Sequence, residues 1–186
     1  MVSVLFCGSR SFSSFPVVLG PVSGWLVSGG GVVCGSSAGA DARVVRAALA
    51  ACGASSLCVL ASFAPSGEGA GSCSSVPSAM SASEAGASVV WLAGGPLSIP
   101  LRARLAARSV AAASLAAGGV VFSAGGLLGP GSSLVVFSLI SRGCPVWLFS
   151  PSPAPLRGLA GSWLPASFCG FHCFRFAPAQ LSFGFA

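Results

Sequence analysis

The sequence predicts an α/β protein: a doubly wound parallel sheet enclosed by helices in three layers, α/β/α. Three observations carry that prediction. Short, continuously apolar runs such as VSVLFC, VVWL and VWLF recur along the chain, as expected of strands buried on both faces of a parallel sheet. Ala-rich stretches of helical spacing separate them, and strands alternating with helices imply βαβ units. Two Gly/Ser-rich loops follow strand runs and lead straight into helix starts.

Val2–Cys7 is the first strand and ends in Gly8-Ser9-Arg10. A helix follows Pro16 and runs to about Val27, closed by Ser28 and three glycines. Val32–Cys34 is a short strand leading into GSSAGAD. Ala42–Cys52 has helical spacing, with Val44, Val45, Ala48 and Leu49 on one face and Arg43 and Arg46 outside it; Gly53 stops it. Leu57–Ala61 is the third strand, residues 62–75 form a loop, and a short helix lies around Ala79–Ala85. Val89–Leu92 is the fourth strand, and Pro100–Ala117 is the strongest helix, stopped by Gly118-Gly119. Val120–Ser123, a helix over Ser132–Ser141, and the strand Val146–Phe149 complete the pattern. Residues 1–150 are thus expected to form one Rossmann-like unit, whereas the Pro-rich, aromatic tail over 151–186 receives no assignment.

The composition is unusual for such a fold. Of 186 residues only 6% are charged, against about 25% in an average soluble domain. The charged residues are nine Arg, Asp41, Glu68 and Glu84, giving a net charge of +6. Lys, Asn, Thr and Tyr are absent. Amino acids whose every codon contains adenine survive only as Met1, Asp41, Glu68, Met80, Glu84, Ile99, Ile140, His172 and Gln180. The bias therefore lies first in the coding strand. A mean hydropathy of +0.89 excludes a disordered chain.

A membrane protein is disfavoured despite that hydropathy, and a membrane-associated structural protein is kept as a third alternative. The longest uncharged stretch, Val110–Ser141, carries five Gly between 118 and 129, followed by Pro130. No stretch reaches the roughly 18 consecutive apolar residues of a spanning helix. Arg10 follows the first apolar run instead of preceding it, unlike a signal peptide, so a cytoplasmic location and reduced thiols are expected. Cys169, His172 and Cys173 are three possible metal ligands without a second cluster, and no metal is expected.

Right-handed crossovers place every strand C-terminus on one edge, where doubly wound folds hold ligands. On that edge lie Gly8-Ser9-Arg10, Gly35-Ser36-Ser37-Ala38-Gly39-Ala40-Asp41 and the loop through Gly131-Ser132-Ser133. Gly-rich loops opening helices offer backbone N–H groups and a favourable dipole to a phosphate. Neither loop is a Walker A or a GxGxxG sequence. Asp41 is read either as a ligand contact or as a helix N-cap.

The order of these motifs resembles the SLOG superfamily, which includes DNA-processing protein A (DprA/Smf) and the LOG/lysine-decarboxylase-like proteins. The resemblance covers residues 2–150. Gly8, Ser9 and Arg10 match the family's G-S-R, and Ser37, Ala38, Gly39 and Asp41 match its S-G-x-A-x-G-I-D. Arg102, Arg104 and Ser109 match R-N-R-x-x-x-x-x-S, with Ala103 in place of Asn. Gly131, Ser132, Ser133 and Leu134 match S-G-S-L-x-T-A without its Thr. The resemblance implies a nucleotide or nucleotide-derived phosphate ligand. It also implies an alternative, single-stranded DNA binding as a homodimer. The LOG motif P-G-G-x-G-T-x-x-E lacks its catalytic Glu here, so a binding module is expected rather than an enzyme.

Arg104 and Arg108 share one face of their helix, and Arg102 lies about 200° from Arg104. Arg43, Arg46, Arg142 and Arg157 are expected as solvated surface.

Overall fold

The computed structural model describes residues 1–62, 76–93, 96, 98–125, 128–153, 156 and 159–179. Six parallel strands run through β1 (Ser3–Gly8), β2 (Gly31–Gly35), β3 (Leu57–Ala61), β4 (Ser88–Trp91), β5 (Gly119–Phe122) and β6 (Val146–Phe149). Helices α1 (Phe15–Val27), α2 (Ala40–Ala50), α3 (Val76–Glu84), α4 (Leu101–Ser114) and α5 (Pro130–Ile140) connect them. The strand order is β4-β3-β2-β1-β5-β6-β8-β7, with β7 (Gly161–Phe168) and β8 (Phe171–Pro178) at the far edge. The doubly wound α/β expectation holds.

Alternation along the strands builds two cores. Val4, Phe6, Val32, Cys34 and Val59 pack against Val18, Val22, Val44 and Ala48 of α1 and α2. The intervening residues Leu5, Val33 and Leu60 pack against Ala112 and Ala113 of α4 and Val136 and Leu139 of α5. Because both parities are buried, the strands read as unbroken apolar runs. The helices start and stop within a few residues of their expected limits. The loop expected over 62–75 lies outside the described residues beyond Ser62.

The sheet departs from a purely parallel one in the C-terminal tail. There β7 and β8 form an antiparallel hairpin, and β8 pairs antiparallel with β6 through Trp147↔Arg175 and Leu148↔Phe174. Its two-residue turn, Cys169 and Gly170, takes φ of 51° and 83°, the left-handed pair of a type I′ hairpin. Cys173 enters the core under α1 while Phe174 packs on the opposite core. With apolar residues at both parities, β8 carries no alternating signal in the sequence. The turn folds back over α1, where a side chain at Gly20 would collide with the ring of Phe171.

Phe168 anchors this hairpin. It is 5% exposed, and its ring lies 4.9 Å from Trp147, 5.7 Å from Trp25 and 6.0 Å from Phe6, centroid to centroid. Phe168→Ala is expected to lower the unfolding free energy by about 3 kcal/mol, read from urea denaturation followed by tryptophan fluorescence. A loss well under 1 kcal/mol would mean that the hairpin is not seated on the core.

Candidate nucleotide-binding edge

Five neighbouring strands end in the same way. β1, β2, β3, β5 and β6 are each followed at once by a serine: Ser9, Ser36, Ser62, Ser123 and Ser150. Ser36 and Ser62 are essentially inaccessible, and the hydroxyls of Ser36, Ser62 and Ser150 have no hydrogen-bond partner among the described residues. This repeated apolar-run-then-serine pattern is visible in the sequence but goes unnoticed where serine is so common.

The loops after β1 and β2 are joined by backbone bonds. Ser9 N–H donates to the Phe122 carbonyl at the end of β5 (3.0 Å), and the Ser9 carbonyl accepts from Ala40 N–H at the start of α2 (3.1 Å). Gly39 has φ +83°, and a Cβ there would strike the Arg10 carbonyl, so only glycine lets the two loops meet. Ala42 N–H donates to the Ser37 carbonyl. Several donors of the Gly35–Asp41 loop and the start of α2 are therefore engaged inside the fold, unlike the open backbone cradle expected from the sequence.

Two side chains of α4 add further donors at this edge. Arg104 and Arg108 of α4 are only 7% and 8% exposed. Arg108 Nη2 donates to Ser37 Oγ (3.1 Å). Arg104 Nε, Arg104 Nη1 and Arg108 Nη1 are buried without a partner among the described residues. Arg104, Arg108, Ala112 and Ala116 form one four-residue series. That signal is legible: the apolar stripe of the helix continues toward its N-terminus as arginine.

Asp41 completes the group. It is not the N-cap, a position held by Gly39; its Oδ2 reaches back to accept Ser37 N–H (3.3 Å). A Cβ at Gly35 would collide with this Oδ2 and lie 3.3 Å from Arg108 Nη2. Burial pushes the Asp41 carboxyl up to about 6, against the opposing pull of Arg108, the Ser37 hydrogen bonds and Arg10. Burial, reinforced by Asp41, raises the neighbouring Cys7 and Cys34 thiols far above their ordinary value. They remain protonated and inert as nucleophiles.

The other expected residues fall differently. Arg10 is exposed beside the group, and Arg102 points to solvent at the first turn of α4. Gly131, Ser132 and Ser133 open α5 at the end of β5, two strands from β2. There Ser133 Oγ donates to the Leu128 carbonyl (3.3 Å), and no hydrogen bond joins these residues to Asp41 or Arg108 among the described residues. Part of their loop, Gly126-Leu127, lies outside the described residues, as do Glu68 and Arg157. The surface arginines are more engaged than expected. Arg43 donates to the Ser13 and Gly39 carbonyls, Arg142 to the Ala113 carbonyl, and Arg46 stacks 4.6 Å from the Phe15 ring centre. Strand alternation separates His172, exposed, from Cys173, buried, and no cluster of three metal-ligating side chains occurs among the described residues. No helix there is long and apolar enough to cross a membrane.

No family model and no curated protein matches the chain. Among solved structures, DNA processing protein A (DprA) from Streptococcus pneumoniae superposes with a TM-score of 0.61 at 20% identity. The match covers 81% of this chain and 51% of that one. The chain thus has a DprA-like, Rossmann-like fold and spans about half the length of that neighbour.

A raised carboxyl pKa sets the sign of a pH effect. From its ordinary 3.8 to about 6, native Asp41 keeps a proton that the unfolded chain releases. Its stabilising contribution is full at lower pH and is lost as pH rises through about 6. Urea melts are expected to show unfolding free energy falling over that window, and Asp41→Asn is expected to remove this fall. An unchanged slope in the variant would contradict the assignment.

Proposed function

We propose that the protein is a cytoplasmic binding module or sensor whose strand C-terminal edge takes a nucleotide or nucleotide-derived phosphate ligand. The observation that carries this reading is the pair of buried guanidinium groups whose N–H groups lack partners among the described residues. Burying such a charge without acceptors is unfavourable, and a phosphate supplies acceptors in the forked geometry that arginine prefers. Asp41, a single carboxylate, balances at most one of the two. Ser36 and Ser62, whose hydroxyls have no partner among the described residues, add neutral donors at the ends of β2 and β3. The SLOG resemblance of the sequence agrees with this ligand class.

A second reading, single-stranded DNA bound by a homodimer, draws on the fold shared with a DNA processing protein. It also draws on the exposed Arg10 and Arg102 at the same edge. DNA bound through phosphates would give a gel shift that weakens steeply with salt; a salt-insensitive or absent shift overturns it.

A thermal-shift and calorimetric panel of nucleotides tests the leading reading, with a rise in Tm expected for the wild type. Arg108→Ala is expected to abolish the shift. Arg104→Met, which removes a buried unpaired charge, is expected to leave the ligand-free protein as stable or more stable while losing the ligand response. A flat response across the whole panel would sink the proposal.

A further inference from the structure

Arg108 has a neighbour that competes with an anionic ligand. The point that a Gly35 Cβ would occupy lies within 3.3 Å of both Asp41 Oδ2 and Arg108 Nη2. A carboxylate of α2 and a guanidinium of α4 therefore meet over the end of β2. Both also hold Ser37: Asp41 accepts its N–H, and Arg108 donates to its hydroxyl. Arg108 Nη1 stays buried without a partner among the described residues. A phosphate drawn to that guanidinium would bring a second anion beside a carboxylate that is only 6% exposed. Two like charges so close and so poorly solvated do not both stay ionised. A phosphate is much the stronger acid in its first ionisation, so the proton goes to Asp41. Protonation then turns Asp41 from an acceptor alone into a carboxyl group with an O–H to donate.

The surroundings leave Asp41 as the group that titrates. The cations facing it are Arg108 and, from the loop after β1, Arg10; arginine stays charged throughout. Cys7 of β1 and Cys34 of β2 face it as thiols that burial keeps protonated. Cys58 of β3 packs on the α4 side of the sheet. Helix α1 carries no ionisable side chain, and Glu84 closes α3 at the edge opposite the strand C-termini. Burial already lifts the carboxyl to about 6 in the free protein, so a neighbouring anion has little further to raise it. Resting on the nucleotide reading above, we propose that Asp41 guards Arg108 as an exchangeable anion. The ligand's phosphate takes the guanidinium only as the carboxylate takes a proton from solvent, so each ligand binds with one proton and binds more tightly in acid.

Calorimetry with AMP, GMP, CMP and UMP and their 3′,5′-cyclic counterparts tests this, run from pH 5.5 to 7.5 in buffers of differing ionisation enthalpy. Wild-type affinity is expected to fall about tenfold or more over that range, with uptake of about one proton per ligand at pH 7. The ligands alone would behave otherwise: a phosphomonoester gains charge as pH rises through about 6 and would tighten, and a cyclic phosphodiester does not titrate there. Asp41→Asn is neutral at every pH and bears an N–H donor, like the protonated acid. It is expected to bind about tenfold tighter than the wild type at pH 7.5, with the proton uptake lost. A purely structural role for Asp41 would instead weaken binding at every pH. If the variant does not fold, the wild-type pH profile and proton count decide. Wild-type affinity that is flat or rises with pH overturns the proton coupling and leaves the nucleotide site standing. Absence of binding by every member at every pH overturns both.

Discussion

The missing side chain of Gly35 is the constraint around which the ligand edge is built. With any Cβ there, the Asp41 carboxylate would have to leave the end of β2. Ser37 would then lose the acceptor of its N–H, and Arg108 its neighbouring negative charge. The guanidinium of Arg108, already short of acceptors, would be a buried charge with only the Ser37 hydroxyl to hold it. Two helices from opposite faces of the sheet meet at this glycine, so one backbone position couples the layers chemically as well as sterically.

The same edge explains how a chain with so few charges uses them. Arg43 and Arg142 satisfy carbonyls near helix ends, and Arg46 covers an aromatic ring. These are structural uses, each with a partner in hand. Arg104 and Arg108 differ in being buried with N–H groups that have no partner among the described residues. A protein gains nothing in stability from such groups, since apolar residues of similar volume pack as well or better. Ala112, one turn further along the sheet-facing stripe of α4, shows what that stripe holds when packing alone decides, and the two arginines depart from it.

Much of the architecture was legible because a parallel sheet reports itself through unbroken apolar runs, and Val, Leu, Phe, Ala and Cys suffice to write it. The motif loops were legible for the same reason: glycine and serine cluster where strands end. What the sequence hid follows from physics of longer range. The hairpin of β7 and β8 is apolar at both parities, and its pairing with β6 is a contact across many residues that no local period reveals. The Ala40 N–H at the start of α2 looked free because its acceptor, the Ser9 carbonyl, lies far away in the chain. Arg102 and Arg104 look alike in a motif, yet one faces solvent and the other the sheet, a difference that helical phase contains.

The adenine-poor coding strand gives Asp41 its weight. A pressure acting on codons removes aspartate without regard to its place in the fold, and it removes lysine entirely. Arginine can replace lysine wherever only charge is needed, and serine or glycine can replace asparagine in turns. A buried carboxylate has no such substitute, since glutamate is under the same pressure. The one aspartate of the chain stands at the point where two helix layers and a strand end converge, under a desolvation penalty that raises its pKa. A residue that is unfavourable in the coding strand and penalised by burial stands there with the Ser37 N–H and the Arg108 guanidinium as its partners in the fold.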